Sequence, residues 1–226
     1  MFVDILEQLA VGVAAFGALG GLVTLAVRKM SRDAAQLGPD AEMRAVKLVP
    51  IGKVEPEYLV RVAGVATPAG NIAETMVGKR PFVAYRFELF VPGHSSSLEQ
   101  RSDGAFYIDD GSGRARVEPP YDVTTLTTRT QGVFSADELP PAVRAFLEEA
   151  TAGDDWRTSK HLRWIESWVE PGERVCVVGA ATLRVDEGGG AGDYRQSAEL
   201  LTFETADDAP LAISDDPTLL TPPSTS

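Results

Sequence analysis

Cysteine is almost missing from these 226 residues, with Cys176 standing alone. One thiol excludes an intramolecular disulfide framework and any zinc site built on cysteines. Cys176 lies in the apolar run VCVVGA, and nothing nearby would lower its pKa. The residues therefore predict a buried, inert thiol rather than a nucleophile. Histidine is scarce too: His94 and His161 sit far apart in polar stretches, without metal-ligand spacing, and read as surface residues. Positive charge is in deficit, with 21 Lys and Arg against 33 Asp and Glu, a net charge of −12 and a pI near 4.6. That balance argues against a nucleic-acid partner, which needs clustered Lys and Arg, and reads most simply as solubility.

The usual signatures of chemistry are also absent. No G-x-S-x-G elbow singles out a serine. The pairs Asp154-Asp155, Asp207-Asp208 and Asp215-Asp216 fall in predicted loops, where solvated charge is the ordinary explanation. The glycine run at 188–192 is not followed by Lys-Ser/Thr or by a helix pattern, so it reads as a flexible connection rather than a phosphate loop. Trp164 and Trp168 share a face of a predicted strand with Glu166 between them, a pattern that favours core packing over a membrane contact. The sequence nominates no catalytic, cofactor-binding or metal-ligating residue, and no cofactor is expected.

What the chain does have is a long apolar run at its beginning. Residues 9–27, from Leu9 to Val27, read LAVGVAAFGALGGLVTLAV and carry no charge. As a helix at ~1.5 Å per residue this run is roughly 28 Å long, close to the ~30 Å hydrocarbon core of a bilayer. Asp4 and Glu7 precede it and Arg28, Lys29 and Arg32 follow it. The positive-inside rule then predicts an uncleaved anchor over residues 1–30, N-terminus outside, with everything beyond in the cytoplasm at the cell membrane. Gly17 and Gly21, extended by Ala10 and Ala14, form a small-residue stripe that allows a homodimer by close helix approach.

A polar juxtamembrane linker is expected over 31–43, and a β-rich domain over 44–214. Strands are predicted at 44–49, 58–67, 82–91, 106–109, 114–118, 123–130, 162–169, 174–185 and near 198–204, with loops over 92–103 and between the others. In 82–91 the face of Val83, Tyr85, Phe87, Leu89 and Val91 is nearly all apolar. One amphipathic helix is predicted: Ser135 and Glu138 have capping-box spacing, Pro140 and Pro141 fall in the first turn, Leu139, Val143, Phe146, Leu147 and Ala150 form the stripe, and Gly153 ends it. The last stretch, 215–226, is rich in Pro, Ser and Thr and reads as a disordered tail. Together these elements predict a mainly β, partly open barrel-like domain with one helix, preceded by one transmembrane helix.

The stretch FYIDDGSGRARVEP at 106–119 is the hardest to place. A calcium loop starting at Asp109 would need a carboxylate at its twelfth position, which is Pro120. A phosphate cradle would open a helix, yet ARVE continues as a strand. Asp110-Gly111-Ser112-Gly113 instead supplies the positive-φ positions of a hairpin turn. Four stretches then occur in a familiar order: PFVAYRFEL, FYIDDGSGRARVEP, ESWVEPGERVCVVGAA and PLAISDDPTLL. They resemble the GIDE domain, also called the BAM or "beside a membrane" domain, found in a mitochondrial ubiquitin ligase and in many prokaryotic membrane proteins. The resemblance rests on Phe106, Asp110, Gly113, Val117 and Pro119; on Glu166, Gly172, Glu173, Val175, Val177 and Gly179; and on Pro210, Ile213, Ser214 and Asp215. It implies a membrane-adjacent β-rich module; with the anchor and the lack of a catalytic set, the leading expectation is a non-catalytic module that binds a protein or lipid partner. The family's ligase label would add an E3-like transferase, but that chemistry belongs to a zinc-binding RING, which one cysteine cannot build. An accessory enzyme with a site among loops such as 92–103 is the other alternative.

Overall fold

The computed structural model describes residues 39–93, 96–151, 155–185, 199–205 and 211–221. The apolar run, His94, Gly153, the Asp207-Asp208 pair, Pro210 and the glycine run at 188–192 lie outside the described residues. The chain divides into two compact units, Met1–Ala45 and Val46–Ser226. In the first, the described part is helix α1 (Pro39–Ala45). Proline suits its first turn, where a missing N–H costs nothing, and Arg44 suits its last turn, facing the negative end of the helix dipole. The linker expected over 31–43 therefore ends in helix, and the strand expected at 44–49 is not one. Leu48 makes only a single bridge to Arg61. Two or three alternations of apolar and polar residues are too short a signal for a strand, and after the helix ends at Ala45 the chain to Val49 is irregular apart from that bridge.

The second unit is mainly β. Its first excursion of chain supplies β1 (Leu59–Pro68), β2 (Ala73–Glu74), β3 (Pro81–Phe82), β4 (Ala84–Phe90) and β5 (Leu98–Arg101). Then come β6 (Phe106–Asp109), β7 (Arg114–Val117), β8 (Asp122–Thr125), β9 (Thr128–Phe134), helix α2 (Pro141–Ala150) and β10 (Leu162–Val169). Strands β11 (Arg174–Val185), β12 (Glu199–Phe203) and β13 (Ala212–Ser214) complete it.

Five of these strands close a barrel in the order β1-β6-β7-β12-β11, with β11 pairing back to β1. The partly open barrel expected from the sequence is thus closed. All its pairs are antiparallel except β7–β12, which is parallel. A five-stranded barrel with this strand order and one parallel pair has the topology of an OB-fold. Closure depends on β1 serving two neighbours: Leu59 to Val65 pair with β11, and Val65 to Pro68 with β6. Gly64 sits at that change of partner. A Cβ there would lie 2.6 Å from the Asp109 carbonyl oxygen, so only glycine lets the two backbones approach so closely. Alternate residues point inward, and Val62, Phe106, Ile108, Val117, Val175, Val177 and Phe203 fill the interior with apolar side chains. The barrel is a core, not a cavity. β13 continues the sheet from β11, and β8 pairs with β13 in parallel.

A second, four-stranded antiparallel sheet has the order β5-β4-β10-β9. Its apolar face carries Tyr85, Phe87 and Leu89 from β4 and Leu162, Trp164 and Trp168 from β10, covered by Val143 and Leu147 of α2 and by Trp156. The alternation holds along β4, although the strand expected over 82–91 is interrupted at Val83, and the core reading of both tryptophans holds. Three expectations change. The loop over 92–103 contains β5, whose LEQR carries a single apolar residue and pairs with β4 as an edge. The threonine-rich strand at 123–130 is two strands, because the backbone turns at buried Leu126 and the halves join different sheets. The helix begins at Pro141, not at Ser135. Residues 136–138 make a separate 3-10 turn, Ser135 makes no side-chain cap bond, and the α-helix ends at Ala150.

Both excursions that build this second sheet, 69–105 and 118–173, leave and re-enter the barrel at one end, where Pro68 pairs with Phe106 and Phe106 with Val117. Among the described residues the other end holds the chain's entry before Leu59, the β6–β7 tip and the facing ends of β11 and β12.

Candidate functional site

The residues that the sequence marks most strongly do not converge on one place. They occupy three separate clusters, and in each a carboxylate is spent on the backbone. At the β6–β7 tip, Asp110 Oδ1 accepts the Ser112 N–H at 2.8 Å, the Gly113 N–H at 3.2 Å and the Ser112 hydroxyl at 2.7 Å. Its Oδ2 accepts the Ile51 N–H at 2.8 Å, and Ser112 Oγ accepts the Gly52 N–H at 3.0 Å. Asp109 accepts the Gly111 N–H, and Gly111 takes the left-handed φ of +82° that the turn requires. A Cβ on Gly113 would lie 2.9 Å from Gly52 N. Desolvation pushes the Asp110 carboxyl up, but the Ser112 hydroxyl and the three amides outweigh it and hold the group below its ordinary range. The tip is a clamp on the short 3-10 helix Ile51–Lys53, as well as the hairpin turn expected.

Glu166 forms the second cluster. It is fully buried between Trp164 and Trp168, yet it is satisfied: Oε1 accepts Val77 N–H at 2.8 Å and the Tyr85 hydroxyl at 2.9 Å, and Oε2 accepts Gly78 N–H at 3.2 Å. Tyr85 in turn accepts the Met76 N–H at 3.2 Å. Burial first, and then the neighbouring Glu166 charge, drives the Tyr85 ionisation far above the ordinary tyrosine range, so its hydroxyl stays a donor. The carboxylate thus fills the backbone concavity of the 75–80 turn, which the Thr75 hydroxyl closes by accepting Arg80 N–H.

The third cluster ties the two sheets. Arg129 of β9 reaches Glu173 at 3.0 Å and Asp215 at 3.0 Å. Glu173 also accepts Glu170 N–H at 2.8 Å, and Asp215 accepts Thr127 N–H at 2.7 Å. The Asp215-Asp216 pair lies in a loop as expected, but the Asp215 side chain is only 6% exposed and is paired, while Asp216 accepts the Thr218 N–H and hydroxyl at the surface. Leu219 is fully buried, so the stretch expected to be a tail from 215 is packed at least to Leu219; residues 222–226 lie outside the described residues.

The remaining family-pattern positions have structural places too. Phe106, Val117, Val175, Val177 and Ile213 are core residues, and Gly172 takes a φ of +91° in the β10–β11 turn. A Cβ on Gly179 would lie 2.7 Å from Leu211. Pro119 precedes Pro120 through a cis peptide bond, and Ser214 donates to Thr125 O. Cys176 is buried as expected, and burial pushes its thiol up to about 12. His161 is exposed. Among the described residues no group of three His, Cys, Asp or Glu side chains could hold a metal ion, and no helix is long and apolar enough to cross a membrane.

The outer face of β6 and β7 is the surface that OB-folds use most often for ligands. Here Arg114 stacks on Tyr107 with its guanidinium carbon 3.7 Å from the ring centre, and Arg116 stands 5.9 Å away. Arg116 is paired with Glu118, Arg184 with Glu204, and Asp109 stands opposite Arg114 in the ladder. The face is charge-balanced, which leaves no basic groove to follow a phosphate backbone.

Sequence reasoning missed Arg129, the Tyr85–Glu166 bond and the Gly132–Trp164 contact, where a Cβ would lie 2.9 Å from the indole. Each joins segments far apart in the chain, so no local pattern signals it. No protein-family model matches this chain, and no curated protein matches it.

Proposed function

We propose that this chain is a single-pass, membrane-anchored module of the GIDE type, its soluble part facing the cytoplasm, which binds a protein or lipid partner beside the bilayer without chemistry of its own. One observation carries the reading. The acidic residues of the family pattern, Asp110, Glu166, Glu173 and Asp215, all accept backbone N–H groups and are held there by further partners. Carboxylates so engaged fix a fold and are poor candidates for proton transfer, which requires a group free to reach a substrate. The filled barrel supports the same reading, since a hydrolase or transferase site would call for a pocket with convergent polar groups. The uncharged run from Leu9 to Val27 and the basic residues after it support the anchor and its orientation, and the Gly17–Gly21 stripe supports pairing of two anchors.

Proximity labelling from native membranes, with a chain carrying residues 1–45 alone as control, tests the binding reading. Enrichment of a defined partner by the full chain is expected, and labelling no different from the control would sink it. Orientation is tested separately with Ser226→Cys. The thiol should react only after the cells are opened, and modification from outside intact cells would reverse the topology.

A further inference from the structure

The two ends of the barrel differ. Both excursions to the second sheet use the end at Pro68, Phe106 and Val117, while the chain enters at the opposite end through Ile51–Lys53 and the start of β1. At this entry end the β11–β12 pair runs past its neighbour. The last β1 pairing is Leu59 with Ala180, but β11 continues to Val185, opposite Glu199. Leu183 and Val185 have the same parity as the inward-facing Val177 and Ala181, yet they lie beyond the closed part of the barrel and are 49% and 59% exposed. Tyr58 is 63% exposed. It stands beside the same strand, between Glu57, whose N–H bonds Ala181 O at 2.8 Å, and Leu59.

Single exposed apolar residues need no explanation; an aromatic and two aliphatics gathered at one end are a different matter. We infer that this entry end rests on the lipid surface, with Tyr58, Leu183 and Val185 in the bilayer interface. The inference rests on the anchored reading proposed above and adds to it. The 23 residues between the apolar run and Ile51 could span tens of ångströms if extended, so an anchor alone does not force contact. The inference rests instead on the apolar side chains exposed at the end through which the chain enters, the end that the second sheet does not cover. Tyrosine is suited to the interface, where its ring is apolar and its hydroxyl stays wet. The charged neighbours that the strand pairing places at the patch, Glu57 next to Tyr58 and Glu199 opposite Val185, are carboxylates rather than cations. Attraction is therefore apolar, and it should persist with uncharged lipid and at high salt.

The test uses the full chain in phosphatidylcholine nanodiscs with an environment-sensitive fluorophore on Tyr58→Cys, Leu183→Cys or Val185→Cys. Buried Cys176 can stay in place. Val133→Cys, 57% exposed on the edge strand β9, serves as the water control, and Leu19→Cys reports the anchor. Labels at 58, 183 and 185 should be quenched several-fold more by a lipid-borne quencher than the label at 133, at low and at high salt. If the label at 19 is quenched from the lipid while those at 183 and 185 remain open to aqueous iodide, the docking face is wrong and the anchor stands. Labels at 183 and 185 shielded from both quenchers mean that protein covers them, which also overturns the inference. A label at 19 that stays in water removes the anchor reading and this inference with it.

Discussion

At the scale of single residues, Glu166 shows how a buried charge is made tolerable. Its stabilisation comes from two amides and one phenol at 2.8 to 3.2 Å rather than from a cation. Removing it leaves those donors buried and unpaired. Glu166→Ala should therefore cost about 3–5 kcal/mol, and Glu166→Gln less, because the amide keeps one acceptor but turns a donor towards Gly78. Urea unfolding gives the totals, and amide exchange should quicken first at Val77 and Gly78. An alanine variant as stable as the wild type would remove the strut from the account. The position of Glu166 was legible in the sequence, since strict alternation places it on the apolar face with Trp164 and Trp168. Its purpose was not, because its partners lie 81 to 89 residues away. Arg129 was illegible for the same reason: nothing around it hints at Glu173 or Asp215.

At the scale of elements, the β6–β7 hairpin is pinned to Ile51–Lys53 by the Asp110 carboxylate and the Ser112 hydroxyl, and the carboxylate makes its contribution depend on pH. The Asp110 carboxyl is lowered in the folded protein from an ordinary value of 3.8. Its contribution is therefore complete above that value and is lost as pH falls through the lower folded value. Asp110→Asn should lower the thermal midpoint most near neutrality, and the two proteins should converge in acid, where Asp110 is itself protonated. A gap that stays constant from about pH 2 to 7 would show that ionisation plays no part. Two long elements were readable to the residue, 162–169 by its alternation and 174–185 by its continuous apolar run, and they match β10 and β11 at both ends. Those defined by tertiary context were not. β5 has one apolar residue and exists because β4 offers an edge, and α2 starts late because Pro140 and Pro141 reset the chain after the 3-10 turn.

At the scale of the whole molecule, the two sheets are joined through Arg129 and through the segment after β13. Ending the chain at Ser214 would remove the Asp215 contacts and the buried Leu219 side chain. The loss of Leu219 alone should cost about 2–5 kcal/mol, read as a lower thermal midpoint in a calorimeter. An unchanged midpoint would mean that the segment only decorates the surface. Composition hid this role, because a stretch rich in Pro, Ser and Thr is usually too polar to fold. Here Ile213, Leu219 and Asp215 suffice, since the barrel sheet and Arg129 receive them. The mainly β class was legible throughout, whereas closure was not, because it depends on Gly64 letting one strand serve two partners.

That closure has a consequence in time. Leu59 pairs with Ala180, so the first barrel strand cannot be covered until one of the last has left the ribosome. At ~5–20 residues per second, synthesis leaves that strand without its partner for on the order of ten seconds. For that interval the nascent chain carries an apolar ribbon with open hydrogen-bonding edges, which exposes it to mispairing before the barrel can close.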